Sequence, residues 1–256
     1  IKQDSNNAEA REMLGIIYLQ QGLYSAAEKE LSRATSNSSK IGLAEALLWQ
    51  EKYAEIRELT ISESPEKSAS SDELEIYKAI ALFREGNRLK ALEKFAYLAD
   101  NAEQPEVSHL AQAYLAGLNN NIERASGAVN KSLASRTNYV PALQLKSKIE
   151  IQQHLWTDAI STLNSLLTLR EADYKVKLQL ADTYINNGDY LQAEPLVNQL
   201  LKISQEQPYF NQLKGTIEFS KANFQQALVH LDKAIKNGRF CLQAFHRYPT
   251  SVRLRW

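Results

Sequence analysis

The sequence predicts an all-α, right-handed superhelical solenoid of about seven helix-turn-helix repeats. Three columns of residues predict it. Ala91, Ala125, Ala159, Ala193 and Ala227 recur at one constant interval without a slip. Four residues after each stands a bulky apolar residue: Phe95, Val129, Leu163, Val197 and Leu231. Twelve residues before each stands a small one: Ala79, Ala113, Ser147, Ala181 and Gly215. Self-similarity at a fixed period of this length is what stacked helix pairs leave in a sequence.

Taken in order, the units start near residues 8, 37, 72, 106, 140, 174 and 208, and the array covers 1–236. The first contains Leu14, Gly15, Tyr18, Gly22, Tyr24, Ala27, Leu31 and Ala34. The second is degenerate: the step from Ala27 to Ala91 falls four short of two periods. The deficit falls around Ser36–Ser39, before a helix expected over 41–50. Leu47, Tyr53 and Ile56 survive there, without the small-residue spacing. Residues 62–71, rich in Ser, Pro and charge, read as the longest inter-helix loop. Ser70 with Glu73 reads as a capping box opening the next helix. The later units are regular, and the sixth shows the logic. Leu180, Ala181, Tyr184 and Ile185 recur at helical spacing, Asn186–Asp189 interrupts them, and Ala193, Leu196, Val197 and Leu200 resume. The small residue admits the second helix closely, and the large one fills the groove between the two.

Composition narrows the function. Hydrophobic residues make up 44% and charged ones 23%, an ordinary balance for a folded domain. No run of apolar residues is long enough to span a bilayer. Thirty basic and thirty acidic side chains cancel, but 238–256 holds Arg239, Arg247, Arg253 and Arg255 and no acid. The array is therefore mildly acidic, 30 − 4 = 26 basic against 30 acidic groups, which argues against a nucleic-acid partner. The segment 237–256 is expected to be a non-repeat tail: Pro249 falls where a first helix needs a small helical residue. It reads either as a basic, aromatic docking tail or as a non-native or disordered end. At the other end, 1–6 resembles the close of a preceding repeat, an expectation that the chain was cut from a longer array. Any export signal or lipid anchor would then precede Ile1.

No catalytic constellation emerges. His109, His154, His230 and His246 lie in different elements without companions at metal-ligand or general-base spacing. His154 stands at the turn that glycine occupies in other units. Cys241 is the sole cysteine, which excludes an internal disulfide and any multi-cysteine metal site. Gly15, Gly22 and Gly86 serve packing and turns, with no phosphate-cradling loop. The expectation is a non-enzyme with no catalytic residue, cofactor or metal.

The columns resemble the tetratricopeptide repeat, over about residues 8 to 236. A narrower resemblance lies near the start of the chain: Leu14–Gly22, Ala26–Leu31 and Ala46–Tyr53 look like the start of the PEP-CTERM system repeat lipoproteins. That resemblance implies a bacterial envelope protein of the periplasm or outer membrane, lipid-anchored at full length and tied to exosortase and exopolysaccharide production. The shortened 36–40 region departs from its pattern. The repeat family implies a concave groove lined by five positions of each first helix. The fourth unit contributes Val107, Leu110, Tyr114, Gly117 and Leu118 there, the least polar set. The fifth contributes Pro141, Gln144, Lys148, Ile151 and Gln152; the sixth Lys175, Leu178, Asp182, Ile185 and Asn186; the seventh Tyr209, Gln212, Thr216, Phe219 and Ser220. Leu110, Leu178 and Ile185 are expected to pack on neighbouring helices instead. The lysine–asparagine clamp that some members use for a C-terminal carboxylate is absent at the matching pairs Gln144/Lys148, Leu178/Asp182 and Gln212/Thr216. The expected partner-binding residues are thus Gln144, Lys148, Gln152, Lys175, Asp182, Asn186, Tyr209, Gln212, Thr216 and Phe219. Three functions remain open: an envelope protein-interaction scaffold, a cytoplasmic assembly module, and a groove for a polysaccharide.

Overall fold

A computed structural model describes residues 7–61 and 67–240. The described residues form fourteen α-helices and no strand: α1 (Ala8–Gln20), α2 (Tyr24–Leu31), α3 (Asn37–Trp49), α4 (Tyr53–Glu58), α5 (Lys67–Arg84), α6 (Arg88–Asn101), α7 (Pro105–Leu118), α8 (Ile122–Ser135), α9 (Val140–Gln152), α10 (Trp156–Leu169), α11 (Tyr174–Asn187), α12 (Tyr190–Ile203), α13 (Pro208–Ser220) and α14 (Phe224–Phe240). They are helix pairs in sequence order, the all-α repeat solenoid fold. The segment 241–256, most of the expected tail with Cys241, His246 and Pro249, lies outside the described residues. So do residues 1–6 and 62–66, the latter the first half of the expected loop.

The turn inside each pair obeys one rule. Gly22, Glu51, Gly86, Asn120, His154, Gly188 and Ala222 all have φ between +58° and +87°. A left-handed residue ends the first helix and re-aims the chain for the second. Gly188 shows the bonding: Asp189 N–H donates to Tyr184 O at 2.8 Å. First helices start on side-chain caps where the sequence supplies them. Asn7 accepts from Ala10 N, Ser36 from Ser39 N, and Asp173 from Lys175 N and Val176 N.

The degenerate pair differs from expectation in two places. Helix α3 begins at Asn37, four residues before the expected start, because Ser36 caps it; Ser39 sits inside the helix and is fully buried. Helix α5 begins at Lys67, so Ser70 lies within it and no capping box opens there. What shortens the second unit is α4, only six residues long. At the far end α14 runs through Asn237 and Gly238 to Phe240, beyond the expected end of the array.

Contacts divide the chain into two compact units. Unit 1 comprises residues up to Leu145 together with Leu169–Ala172; unit 2 comprises Lys146–Thr168 and the residues from Asp173 on. In unit 1, Leu31, Leu47, Ile56, Ile76, Ile80, Phe95, Leu98 and Leu110 are at most 2% exposed. The Phe95 ring on α6 stacks on Tyr114 of α7, centroids 4.6 Å apart, joining one pair to the next. In unit 2 the core centres on Ala181, Ala193, Val197, Leu213 and Ile217. The small-residue column works as its chemistry requires. A Cβ added at Gly15 would lie 2.5 Å from Leu31 Cγ, and one at Gly215 would lie 2.8 Å from Leu231 Cγ.

Candidate functional site

Unit 2 holds nine of the ten expected partner-binding residues, on the first helices of three pairs. On α11, Asp182 and Asn186 stand one turn apart, and the Asn186 amide donates to Asp182 O at 2.8 Å. On α13, Tyr209, Gln212, Thr216 and Phe219 follow one another at helical spacing, with Thr216 Oγ1 donating to Gln212 O at 3.0 Å. The two helices are joined by a hydrogen bond from the Tyr209 hydroxyl to the Asp182 carboxylate. Burial raises the Asp182 pKa, and the Tyr209 bond pulls it back; burial and the Asp182 charge together raise that of Tyr209. Tyr209 also packs on the unit 2 core, with Leu178 and Ile185. Those two apolar residues do pack inward, as expected, because the first-helix face also carries the contact between pairs.

What this face leaves open is narrower than the sequence list. Gln212 and Asn186 are exposed, and Phe219 is 62% exposed, its ring edge-on to Phe224 at 5.6 Å. Lys175, Thr216 and Asp182 are half-buried. On α9, Lys148 and Gln152 are half-buried, and the Gln152 Oε1 is buried without a hydrogen-bond partner. Gln144 falls in unit 1, half-buried. At its groove positions the fourth pair offers nothing accessible: Val107 and Leu110 are 0% exposed, Leu118 2% and Tyr114 4%. Beside the face, Lys214 bonds both Glu194 and Glu218 at 2.8 Å, and Lys221 bonds Glu194 at 2.5 Å. These lysine bonds lower the Glu194 and Glu218 pKa values.

Unit 1 contains a polar cluster that the sequence reading missed. Arg170 forms a bidentate pair with Glu45 of α3 at 2.6 and 2.7 Å, both side chains about nine-tenths buried. Burial opposes the Arg170 charge, but the charge and hydrogen bonds of Glu45 outweigh it and its pKa rises. Arg136 donates to Glu73 of α5 at 3.0 Å and lies 4.0 Å from Glu106 of α7, its guanidinium 5.1 Å from the Tyr139 ring centre. Burial outweighs Arg136 and raises the Glu73 pKa. The Tyr139 hydroxyl is buried with no hydrogen-bond partner. A signal was available: Arg136 and Arg170 lie one period apart, at equivalent positions of successive units. Their acid partners, 63 and 125 residues away, follow no such period.

No group of three His, Cys, Asp or Glu among the described residues could hold a metal ion. No described helix is long and apolar enough to cross a membrane. His230 Nδ1 lies 3.0 Å from Asn211 Oδ1, and His154 takes the left-handed turn with φ +58°.

Comparisons with known proteins agree on the fold. Residues 150–217 match the tetratricopeptide repeat family model. No curated protein matches the chain by sequence. Among solved structures, the hetero-tetramer Cut9–Hcn1 of the APC/C is similar at TM-score 0.61 and 17% identity, covering 91% of this chain and 46% of that one. MamA from Desulfovibrio magneticus RS-1 is similar at 0.55 and 16%, covering 66% of this chain and 96% of its own. A human IFIT1 dimer with PPP-AAAA reaches 0.55 and 16%, covering 89% and 61%. Together with the helix order, these likenesses establish an all-α, tetratricopeptide-like repeat fold.

Proposed function

We propose that the protein is a non-catalytic scaffold that binds an extended segment of a protein partner along the first-helix face of unit 2. The observation that carries this reading is the pairing of Gln212 with Phe219 on α13, both exposed and two turns apart. Two turns span about 10 Å, the reach of three extended residues. A carboxamide can donate to and accept from a partner's backbone, while the Phe219 ring supplies an apolar contact that its edge-on neighbour Phe224 leaves mostly open. The Asp182–Tyr209 bond fixes the floor beside them. The test is site-specific photocrosslinking from position 212 in the full chain, followed by affinity measurement on the segment captured. Gln212→Ala with Phe219→Ala is expected to weaken that segment at least tenfold. Unchanged affinity would place the binding surface elsewhere.

The same exposed ring beside a carboxamide also suits a sugar, by stacking and hydroxyl hydrogen bonds, and favours polysaccharide as a second reading. Calorimetric titration with acidic and neutral polysaccharides tests it, and no heat at millimolar ligand removes it. The setting we propose, the envelope exopolysaccharide system with a lipid-anchored full-length form, is supported by the resemblance of the segments between Leu14 and Tyr53. Membrane fractionation of the tagged native protein tests it, and recovery in the cytoplasmic fraction would favour an assembly module there.

A further inference from the structure

Outside that face, unit 1 has a cleft of about 560 Å³ between the two helices of the fourth pair. Helix α8 lines it with Arg124 and Lys131, and α7 with Gln112 and with Asn119, the residue that caps its C-terminal end. Gln112 and the C-cap residue Asn119 lie two turns apart along α7 and its end, and Arg124 and Lys131 lie two turns apart on α8. The two rows therefore run side by side, with the cations about 10 Å apart along the axis. Between the cations Gly127 leaves the floor open: a Cβ added there would meet nothing within 4 Å. Leu115, Ala116 and Ala128 supply an apolar base.

The charge is one-sided. No carboxylate lines the cleft. Among the described residues neither the Arg124 guanidinium nor the Lys131 ammonium has an acidic partner, whereas Lys78, Lys94, Lys146 and Lys214 on other pairs all do. Asn121 spends its Oδ1 on the Arg124 N–H at 2.9 Å as the cap of α8. Nothing in the packing of the pair needs two exposed cations beside a glycine.

We propose that this cleft is a second docking site, for an acidic segment of a protein partner carrying two carboxylates three residues apart. In a polyproline II segment three residues span about 9 Å and complete one turn, so both carboxylates return to the same face at close to the separation of the cations. Carboxamides that both donate and accept match a peptide backbone, and the apolar base receives a small side chain between the acids. A lone anion would use one cation and leave the amide row idle.

The experiment is fluorescence anisotropy at low salt on the full chain with a labelled peptide bearing two aspartates three residues apart among alanines. Saturable binding is expected, at least tenfold weaker for Arg124→Gln with Lys131→Gln and lost in high salt. A Cβ at position 127 enters open space, so Gly127→Leu occupies the gap between the cations and improves helix propensity, and it is expected to abolish binding while circular dichroism stays native. Gln212→Ala with Phe219→Ala is expected to leave this binding unchanged, which separates the site from the one on unit 2. No saturation at millimolar peptide, equal binding of the diasparagine peptide, or undiminished binding by Gly127→Leu would overturn the proposal. So would displacement of the peptide by inorganic phosphate at equal concentration, which would reduce the site to a simple anion pocket.

Discussion

Four of the seven left-handed turn residues are not glycine: Glu51, Asn120, His154 and Ala222. A Cβ in that conformation crowds the following carbonyl, and Asn tolerates it best. Ala222→Gly and His154→Gly are each expected to stabilise the fold by about 0.5–1 kcal/mol in urea titrations, the relief of strain exceeding glycine's extra unfolded-state entropy. A second residue works the other way. The Glu150 Oε2 is buried with no hydrogen-bond partner, and burial raises the Glu150 pKa above its ordinary 4.5 despite a bond from Thr162 and the nearby Lys146. Its protonated form suits the fold, so its contribution weakens as pH rises through that raised value. Glu150→Gln is accordingly expected to gain about 1 kcal/mol at pH 7 and nothing at pH 4, by thermal melts at both pH values. Glu194 and Glu218 have lowered pKa values; the stability they give is present above pH 4.5 and lost as pH falls through them.

At the scale of the element, the pair is held by a small residue facing a large one. Gly15 opposes Leu31 and Gly215 opposes Leu231, so close that a methyl group would need the leucine to move. Gly215→Val is expected to destabilise unit 2 by about 1–3 kcal/mol, measured as a shift in denaturation midpoint at unchanged slope. Trimming the opposing side chain in Gly215→Val with Leu231→Ala should recover part of that loss, since the two changes act on one contact. This column was legible in the sequence because its spacing is intrinsic to each pair. The start of α5 was not: Ser70 and Glu73 have the right chemistry for a cap, yet the helix extends past them to Lys67. A local motif competes with helix propagation, and an added turn of helix wins where nothing stops it.

For the molecule as a whole, the informative contact is Arg170 with Glu45, 125 residues apart in the chain. Removing one partner strands a buried charge, so Arg170→Ala is expected to destabilise unit 1 by about 3–5 kcal/mol in denaturant titrations. Arg170→Met with Glu45→Leu should restore most of it, because an apolar pair of similar volume carries no desolvation penalty. The two arginines lie in register with the repeat, but their acids do not, and no period could have paired them. The expected partner-binding residues fared in the same way. Their helices and spacing could be read directly; that Asp182 is bonded to Tyr209, and that the neighbouring groove positions Val107 and Tyr114 are sealed in the core, could not. By itself the sequence determined the helix pairs, their order and the small-against-large contact inside each, since all of these depend on neighbours within about one period. Only the tertiary structure decided which faces are covered and which charges meet. Burial and ion pairing depend on residues brought together from distant units, whose separation leaves no regular mark on the chain.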